Sequence, residues 1–147
     1  MKRAERAKEF FQSGYNCTQA VMLAFEDLLN LPRDTLLAVA LPMGGGLGRL
    51  RQTCGALTGA CMCLGLLFPG RTKGEIYSLV QEAAKRFRER NGSINCGELL
   101  SGAGVKADRA PLPEKRSAEY YGKRPCADLV FDAAEILEEI CGEQGGI

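Results

Sequence analysis

The sequence predicts an all-α protein, a compact helical bundle around a buried, glycine-rich central helix at about residues 53–68. Two stretches, 16–29 and 126–141, carry apolar residues at the i, i+3, i+4, i+7 spacing of one helix face. Several stretches begin at a capping residue, and one ends at Asn91-Gly92, as helices commonly do. No segment shows the strict alternation of a half-buried strand.

In chain order, residues 3–13 are predicted to form a polar helix that ends at Gly14. The next helix, 16–29, carries one apolar stripe made of Cys17, Ala20, Val21, Ala24, Phe25 and Leu28. Pro32 opens a short helix to about Leu41, because proline is favoured in the first helical turn. A glycine-rich loop, 42–48, then leads to the central helix.

The segment from Cys54 to Phe68 has no charged residue across its 15 positions. It is shorter than the roughly 20 residues that cross a bilayer, so we interpret it as a buried central helix. Residues 74–91 predict a long amphipathic helix. Its expected inner positions are Ile76, Val80, Ala83 and Phe87.

After a short helix at Cys96, residues 101–125 are rich in glycine, proline and polar residues, which predicts an irregular segment with one helical turn near 113–121. The final helix begins at Cys126. Its predicted buried stripe consists of Cys126, Leu129, Val130, Ala133, Ala134, Leu137, Ile140 and Cys141.

Seven cysteines and no histidine limit the chemistry. Without histidine there is no catalytic Cys-His pair or Ser-His-Asp triad, no Cys₂His₂ zinc site and no His-ligated haem. Four cysteines stand where helices are predicted to begin. Cys17, Cys54 and Cys96 each follow a capping Asn or Thr, and Cys126 follows Pro125.

A helix N-terminus carries unpaired N–H groups and partial positive charge, which lower the pKa of a thiol. We therefore expect Cys17, Cys54, Cys96 and Cys126 to form a redox or metal site. Asn16 with Gln19, and Asn95 with Glu98, have the spacing of capping boxes. The sequence has no C-x-x-C motif.

The other three cysteines, Cys61, Cys63 and Cys141, are interpreted as packing residues, because free cysteine is among the most buried residue types. Cys61 lies two helical turns beyond Cys54 and could be an auxiliary thiol. Such a thiol would assist the four cysteines at the helix starts.

The glycine loop lacks the Gly-Lys-Ser/Thr of a P-loop and does not follow a strand. We expect its glycines to bring backbone N–H groups to the sulfur of Cys54 and to help bind a cofactor. The residues concerned are Gly44, Gly45, Gly46 and Gly48, with Gly55 at the start of the central helix. Arg49 and Arg51, and Lys123-Arg124 before Cys126, would add positive charge beside two thiolates.

A net charge of +1 gives no general attraction to nucleic acid or to an anionic membrane. The basic stretch 85–90 fits the solvent face of a helix rather than a nucleic-acid surface. No apolar signal segment follows the charged N-terminus, so a cytoplasmic location and a single domain, 1–147, are the expectation. A homodimer formed through the apolar helices is compatible with the sequence, although no sequence feature requires one.

Several segments together resemble one known family across roughly residues 10–135. They are Asn16-Cys17-x-Gln19-Ala20-Val21, the Gly44–Gly48 loop, Cys54-Gly55-Ala56-Leu57-Thr58-Gly59-Ala60, Cys96-x-x-Leu99-Leu100 and Cys126. This pattern is similar to the C_GCAxxG_C_C family of redox-active proteins. The resemblance implies that the four family cysteines are Cys17, Cys54, Cys96 and Cys126.

Three functions remain open from the sequence. The leading hypothesis is an iron–sulfur cluster held by the four cysteines, with electron transfer to an unidentified redox partner. The second is metal-free thiol–disulfide exchange or redox sensing. The third is a structural Cys₄ zinc site, or an interaction module without catalysis. Whether the protein is an enzyme is not decided by these residues.

Overall fold

The computed structural model describes residues 1–145 and confirms the all-α prediction. Gly146 and Ile147, the end of the expected 1–147 domain, lie outside the described residues. In chain order the helices are α1 (Arg3–Gln12), α2 (Cys17–Leu23), α3 (Glu26–Leu29), α4 (Arg33–Ala40), α5 (a single left-handed turn, Gly44–Leu47), α6 (Gly55–Leu67), α7 (Lys73–Asn91), α8 (Cys96–Gly102), α9 (Ala118–Lys123) and α10 (Cys126–Glu143). A 3₁₀ turn, Leu41–Met43, joins α4 to α5.

Helix α6 packs against α2, α7 and α10, while α1 packs against α2 and α10. The buried residues of α6 are Gly55, Ala56, Leu57, Gly59, Ala60, Cys63 and Leu64. Small residues allow the neighbouring backbones to approach closely. A Cβ added at Gly59 would lie only 2.9 Å from the carbonyl oxygen of Thr18 in α2.

The predicted single helix 16–29 is wrong in one respect, because it is broken into α2 and α3 at Ala24 and Phe25. The guanidinium of Arg3 donates to the carbonyl of Ala24 at 2.8 Å and lies over the ring of Phe25. This carbonyl is therefore bonded by a side chain of α1. The predicted apolar stripe is nevertheless buried, except that Cys17 and Leu28 are half-buried.

The long helices follow the sequence closely. Helix α7 starts at a capping box of Thr72 and Glu75 and ends at Gly92, whose φ of 86° is left-handed. Its inner face differs from the prediction, since Leu79 is buried and both Ile76 and Val80 are half-buried. In α10 the predicted stripe is buried, apart from the half-buried Cys126.

The basic stretch of α7 is partly paired rather than free in solvent. Arg86 forms two hydrogen bonds to Glu143, at 2.9 and 2.6 Å, and Arg90 bonds Glu135 and Glu139, all three on α10. These exposed ion pairs connect the two longest helices on their outer sides.

The segment between α8 and α10 folds back over the start of the chain. The helical turn expected near 113–121 is α9, which begins later, at Ala118, after a Ser117 cap. Arg116 donates to the carbonyls of Phe11 and Tyr15 at 3.0 and 3.1 Å. Its guanidinium also lies over the rings of Phe11 and Tyr120. Within residues 1–145, none of the helices combines the length and apolar character that a membrane crossing requires.

Candidate functional site

The four cysteines that the sequence singled out line one cavity of about 70 Å³. One water molecule needs on the order of 10–15 Å³ measured in this way, so the space is several times larger. Cys54 and Cys96 are buried, and Cys17 and Cys126 are half-buried. The other lining residues are Phe11, Asn16, Gly45, Arg51, Gly55, Leu99, Leu100, Arg116, Tyr120, Arg124 and Leu129.

An antiparallel bridge between Thr53 and Asn95 brings Cys54 and Cys96 together. The N–H of Cys54 donates to the Ile94 carbonyl at 2.7 Å, and that of Cys96 donates to the Gln52 carbonyl at 2.6 Å. Cys54 and Cys96 are diagonal neighbours across this bridge, so their side chains leave it on the same face.

Two capping expectations are corrected by this bridge. Thr53 was expected to cap the central helix, but Cys54 itself is the N-cap residue, since Thr53 is paired with Asn95. Asn95 caps α8 by accepting from the N–H of Glu98, but no reciprocal bond forms. The Glu98 carboxylate accepts from Ser93 instead.

Cys17 is held against the start of α6. The capping box of Asn16 and Gln19 is present in full, as the sequence predicted. The hydroxyl of Thr18 donates to the carbonyl of Gly55 at 2.8 Å. A Cβ on Gly55 would lie 2.5 Å from the sulfur of Cys17, so only glycine leaves room for this thiol.

Cys126 begins α10 directly after Arg124 and Pro125. Arg124, of which 8% is exposed, places its positive charge near the Cys126 thiol and forms an ion pair with Glu114. The same guanidinium lies over the ring of Tyr120. The irregular segment and α9 therefore complete the cavity wall opposite α6.

The thiols differ from the expectation of lowered pKa values. Burial raises the pKa of Cys17, raises that of Cys54 well above its usual range, and raises that of Cys126 to about 12. Repulsion from neighbouring thiolates adds to each shift. The N–H groups of Gly45 and Ala56 donate to Cys17 and Cys54 and lower these pKa values, but loss of water outweighs them.

Positive charge lies near Cys126, as expected of Arg124, but the arginine expected beside Cys54 lies elsewhere. Arg51 was expected to place positive charge beside Cys54, whereas its Nη1 lies 3.7 Å from the sulfur of Cys96. Its Nε donates to the Asp108 carbonyl at 2.9 Å, and its Nη2 is buried without a hydrogen-bond partner in the described residues. Arg49 bonds the Ala110 carbonyl, and Lys123 pairs with Glu119.

Two of the predicted glycines, Gly45 and Gly55, line the cavity. Gly45 and Gly46 both have φ of 67°, and a Cβ on Gly46 would lie 2.8 Å from the Cβ of Cys96. The loop was expected to donate to Cys54, but its Gly45 donates to Cys17. Gly44 packs on the Asn16 side chain, and Gly48 lies outside the cavity lining.

The three remaining cysteines do not line the cavity. Cys63 and Cys141 are buried in the core, which agrees with the packing interpretation, and Cys61 is half-buried. Burial raises the pKa of Cys61 to about 11. All seven cysteines are free thiols. In the range 1–145, no three Cys, Asp or Glu side chains are arranged around a position for one metal ion.

Sequence reasoning missed Arg116 and Tyr120, which line the cavity. Both belong to the segment interpreted as irregular. Neither hydrophobic periodicity nor a metal-ligand spacing marks them, so no local signal could have assigned them to the site.

Comparison with known proteins gives the family. The profile of the C_GCAxxG_C_C family, described as "Putative redox-active protein", matches residues 15–140. The chain belongs to this family. It is also 27% identical over 153 residues to an Archaeoglobus fulgidus protein named "Uncharacterized protein", with 92% of this chain and 93% of the relative covered. No solved structure matches the chain.

Proposed function

We propose that this member of the C_GCAxxG_C_C family is an electron-transfer protein in which Cys17, Cys54, Cys96 and Cys126 bind an iron–sulfur cluster. The observation that carries the proposal is that four separate elements each contribute one thiol to the same largely enclosed cavity. A histidine-free set of four thiols has the ligand chemistry that such clusters use.

The raised thiol pKa values favour a metal-bound role over a bare thiol role. Thiol–disulfide exchange requires a thiolate, and three of these thiols stay protonated at neutral pH. Coordination to a metal deprotonates a thiol outright and so overcomes the cost of burial. Metal binding would therefore release protons at this site.

The surroundings of the thiols suit an anionic cluster. Phe11, Leu99, Leu100 and Leu129 give the cavity an apolar lining, and the N–H groups of Gly45 and Ala56 favour the ionised sulfurs of Cys17 and Cys54 by lowering their pKa values. The Nη1 of Arg51, 3.7 Å from the sulfur of Cys96, is a further donor. Hydrogen bonds to sulfur and nearby positive charge raise the reduction potential of such a cluster.

A single structural zinc ion is a weaker fit. It requires sulfurs about 2.3 Å from one point, and residues 1–145 offer no three ligands around such a point. In a cluster each iron takes its own thiolate, so the four sulfurs of a cluster site stand farther apart.

The test is anaerobic purification and reconstitution of wild type, Cys54→Ala and Cys63→Ala. Both substituted cysteines are buried, but only Cys54 lines the cavity. We expect visible absorption, iron and acid-labile sulfide in wild type and Cys63→Ala, and their loss in Cys54→Ala. A colourless wild type, or full colour in Cys54→Ala, would contradict the proposal.

The diagonal placement of Cys54 and Cys96 supports a second candidate, reversible disulfide formation without metal. In that reaction a disulfide or peroxide substrate takes two electrons, and both thiols lose their protons. A metal-free wild type that loses two titratable thiols on mild oxidation, with Cys54 and Cys96 joined in peptide mass spectra, would favour this candidate. An unchanged thiol count would exclude it.

A further inference from the structure

A second, larger space adjoins the thiol cavity. It has a volume of about 390 Å³ and includes Arg49, Arg51, Arg116, Arg124 and Glu114 in its lining. We call it the arginine vestibule. Residues that line both spaces are Asn16, Gly45, Arg51, Arg116, Tyr120 and Arg124. A molecule in the vestibule would therefore lie next to the thiols.

The lining of the vestibule carries four guanidinium groups and one carboxylate, and a second carboxylate, that of Asp108, lies outside the lining 3.8 Å from Arg49. Arg51 is only 4% exposed and Arg124 only 8%. Arg51 receives no carboxylate, because its Nε bonds a backbone carbonyl and its Nη1 faces a sulfur. Its buried Nη2 has no partner among the described residues. A buried cationic donor without an acceptor is costly, so this atom marks a place for an anionic ligand.

The carboxylate of Glu114 shows which kind of chemical group these arginines bind. It forms an ion pair with Arg124 and lies 4.0 Å from Arg49. Glu114 belongs to the segment between α8 and α9, outside regular structure. Glu114 thus neutralises part of the positive charge of the arginines and leaves Arg51 without a carboxylate partner.

We propose that the arginine vestibule binds a small anion with at least two oxygen acceptors, a carboxylate or an inorganic oxyanion. Arg51 and Arg124 are its donors, and Glu114 is an internal competitor for them. Planar guanidinium groups bind such oxygens in a bidentate manner. This inference goes beyond electron transfer and does not depend on the presence of a cluster.

The test is calorimetric titration with sodium sulfate and, separately, sodium acetate, at constant ionic strength adjusted with chloride. Arg51→Gln removes a charged donor and should weaken binding by about tenfold or more. Glu114→Gln removes the competitor and should tighten binding. Arg88→Gln, at an exposed arginine of α7 outside the vestibule, is the control and should bind as wild type does.

Saturable binding with these opposite effects of Arg51→Gln and Glu114→Gln supports the proposal, and the better of the two anions identifies the ligand chemistry. The absence of saturable binding of both anions to wild type overturns it. Equal affinities of wild type and Glu114→Gln also overturn it, and this comparison does not depend on the folding of Arg51→Gln. Titrating both metal-free and reconstituted protein separates this result from the cluster proposal, because anion binding by wild type that stays colourless after reconstitution contradicts only the cluster proposal.

Discussion

Replacing Gly55 by alanine places one methyl group between two helix starts. The added Cβ would lie 2.5 Å from the sulfur of Cys17, 2.7 Å from the hydroxyl oxygen of Thr18 and 3.2 Å from the carbonyl oxygen of Met43. The Thr18 hydroxyl also donates to the Gly55 carbonyl, so α2 cannot shift without loss of this bond. We expect Gly55→Ala to displace Cys17 from the cavity and to destabilise the fold.

The magnitude follows from two opposing effects. Alanine is favoured over glycine inside a helix by about 1 kcal/mol. Overpacking costs about 1–3 kcal/mol, and a lost buried hydrogen bond costs about 1–3 kcal/mol more. The expected net loss of unfolding free energy is therefore about 1–5 kcal/mol. For a chain of this length each kcal/mol lowers Tm by about 2–4 °C.

Gly65→Ala is the matched control, because Gly65 lies in the same helix and a Cβ there meets no atom within 4 Å. This variant should be more stable than wild type by about 0.5–1 kcal/mol. Urea unfolding followed by circular dichroism measures the free energy of unfolding of both variants. Iron content after reconstitution shows whether Cys17 still occupies the cavity. If Gly55→Ala were as stable as Gly65→Ala and bound as much iron, the packing argument would be refuted.

Two further predictions concern ionisation. Burial raises the pKa of Cys126 to about 12, so at pH 8 only about one thiol in ten thousand is ionised. In metal-free folded protein, iodoacetamide should therefore modify Cys126 far more slowly than after unfolding. Peptide mass spectrometry measures this, and equal rates would contradict the burial argument. The Arg3 guanidinium, bonded to Asp27 at 2.7 and 2.9 Å, lowers the pKa of Asp27 below its usual range. A carboxyl whose pKa is lower in the folded state stabilises the fold at neutral pH, and this contribution is lost as pH falls through the folded pKa. Asp27→Asn should thus be less stable than wild type at pH 7, with the difference disappearing in acid; a difference that persists at pH 2 would disprove the linkage.

The sequence predicted the long helices well because their signals are local. The stripe of α10 and the Gly92 end of α7 both lie within a few residues of the features they specify. The break between α2 and α3 was not predictable in this way. It involves Arg3, more than twenty residues away, whose side chain bonds the Ala24 carbonyl.

The ionisation of the thiols shows the same limit. A position at a helix start indicates a lowered pKa, and the Gly45 and Ala56 N–H groups do act in that direction. Desolvation acts in the opposite direction and is larger, but it depends on how the whole chain packs over the cavity. The bridge of Thr53 with Asn95 was missed because one pair of residues has no periodicity.

By itself, the sequence determined the helical class and the family and singled out Cys17, Cys54, Cys96 and Cys126 as candidates, since these depend on residue identity and short-range spacing. Only the tertiary structure decided that the thiols share one cavity, that Arg51 lies beside Cys96, and that Arg116 and Arg124 line the same cavity. Two of these relations, the bonds of Arg51 to Cys96 and of Arg116 to Phe11, join residues 45 and 105 positions apart in the chain. Distances of this kind are set by the packing of helices around a common core, which no local pattern encodes.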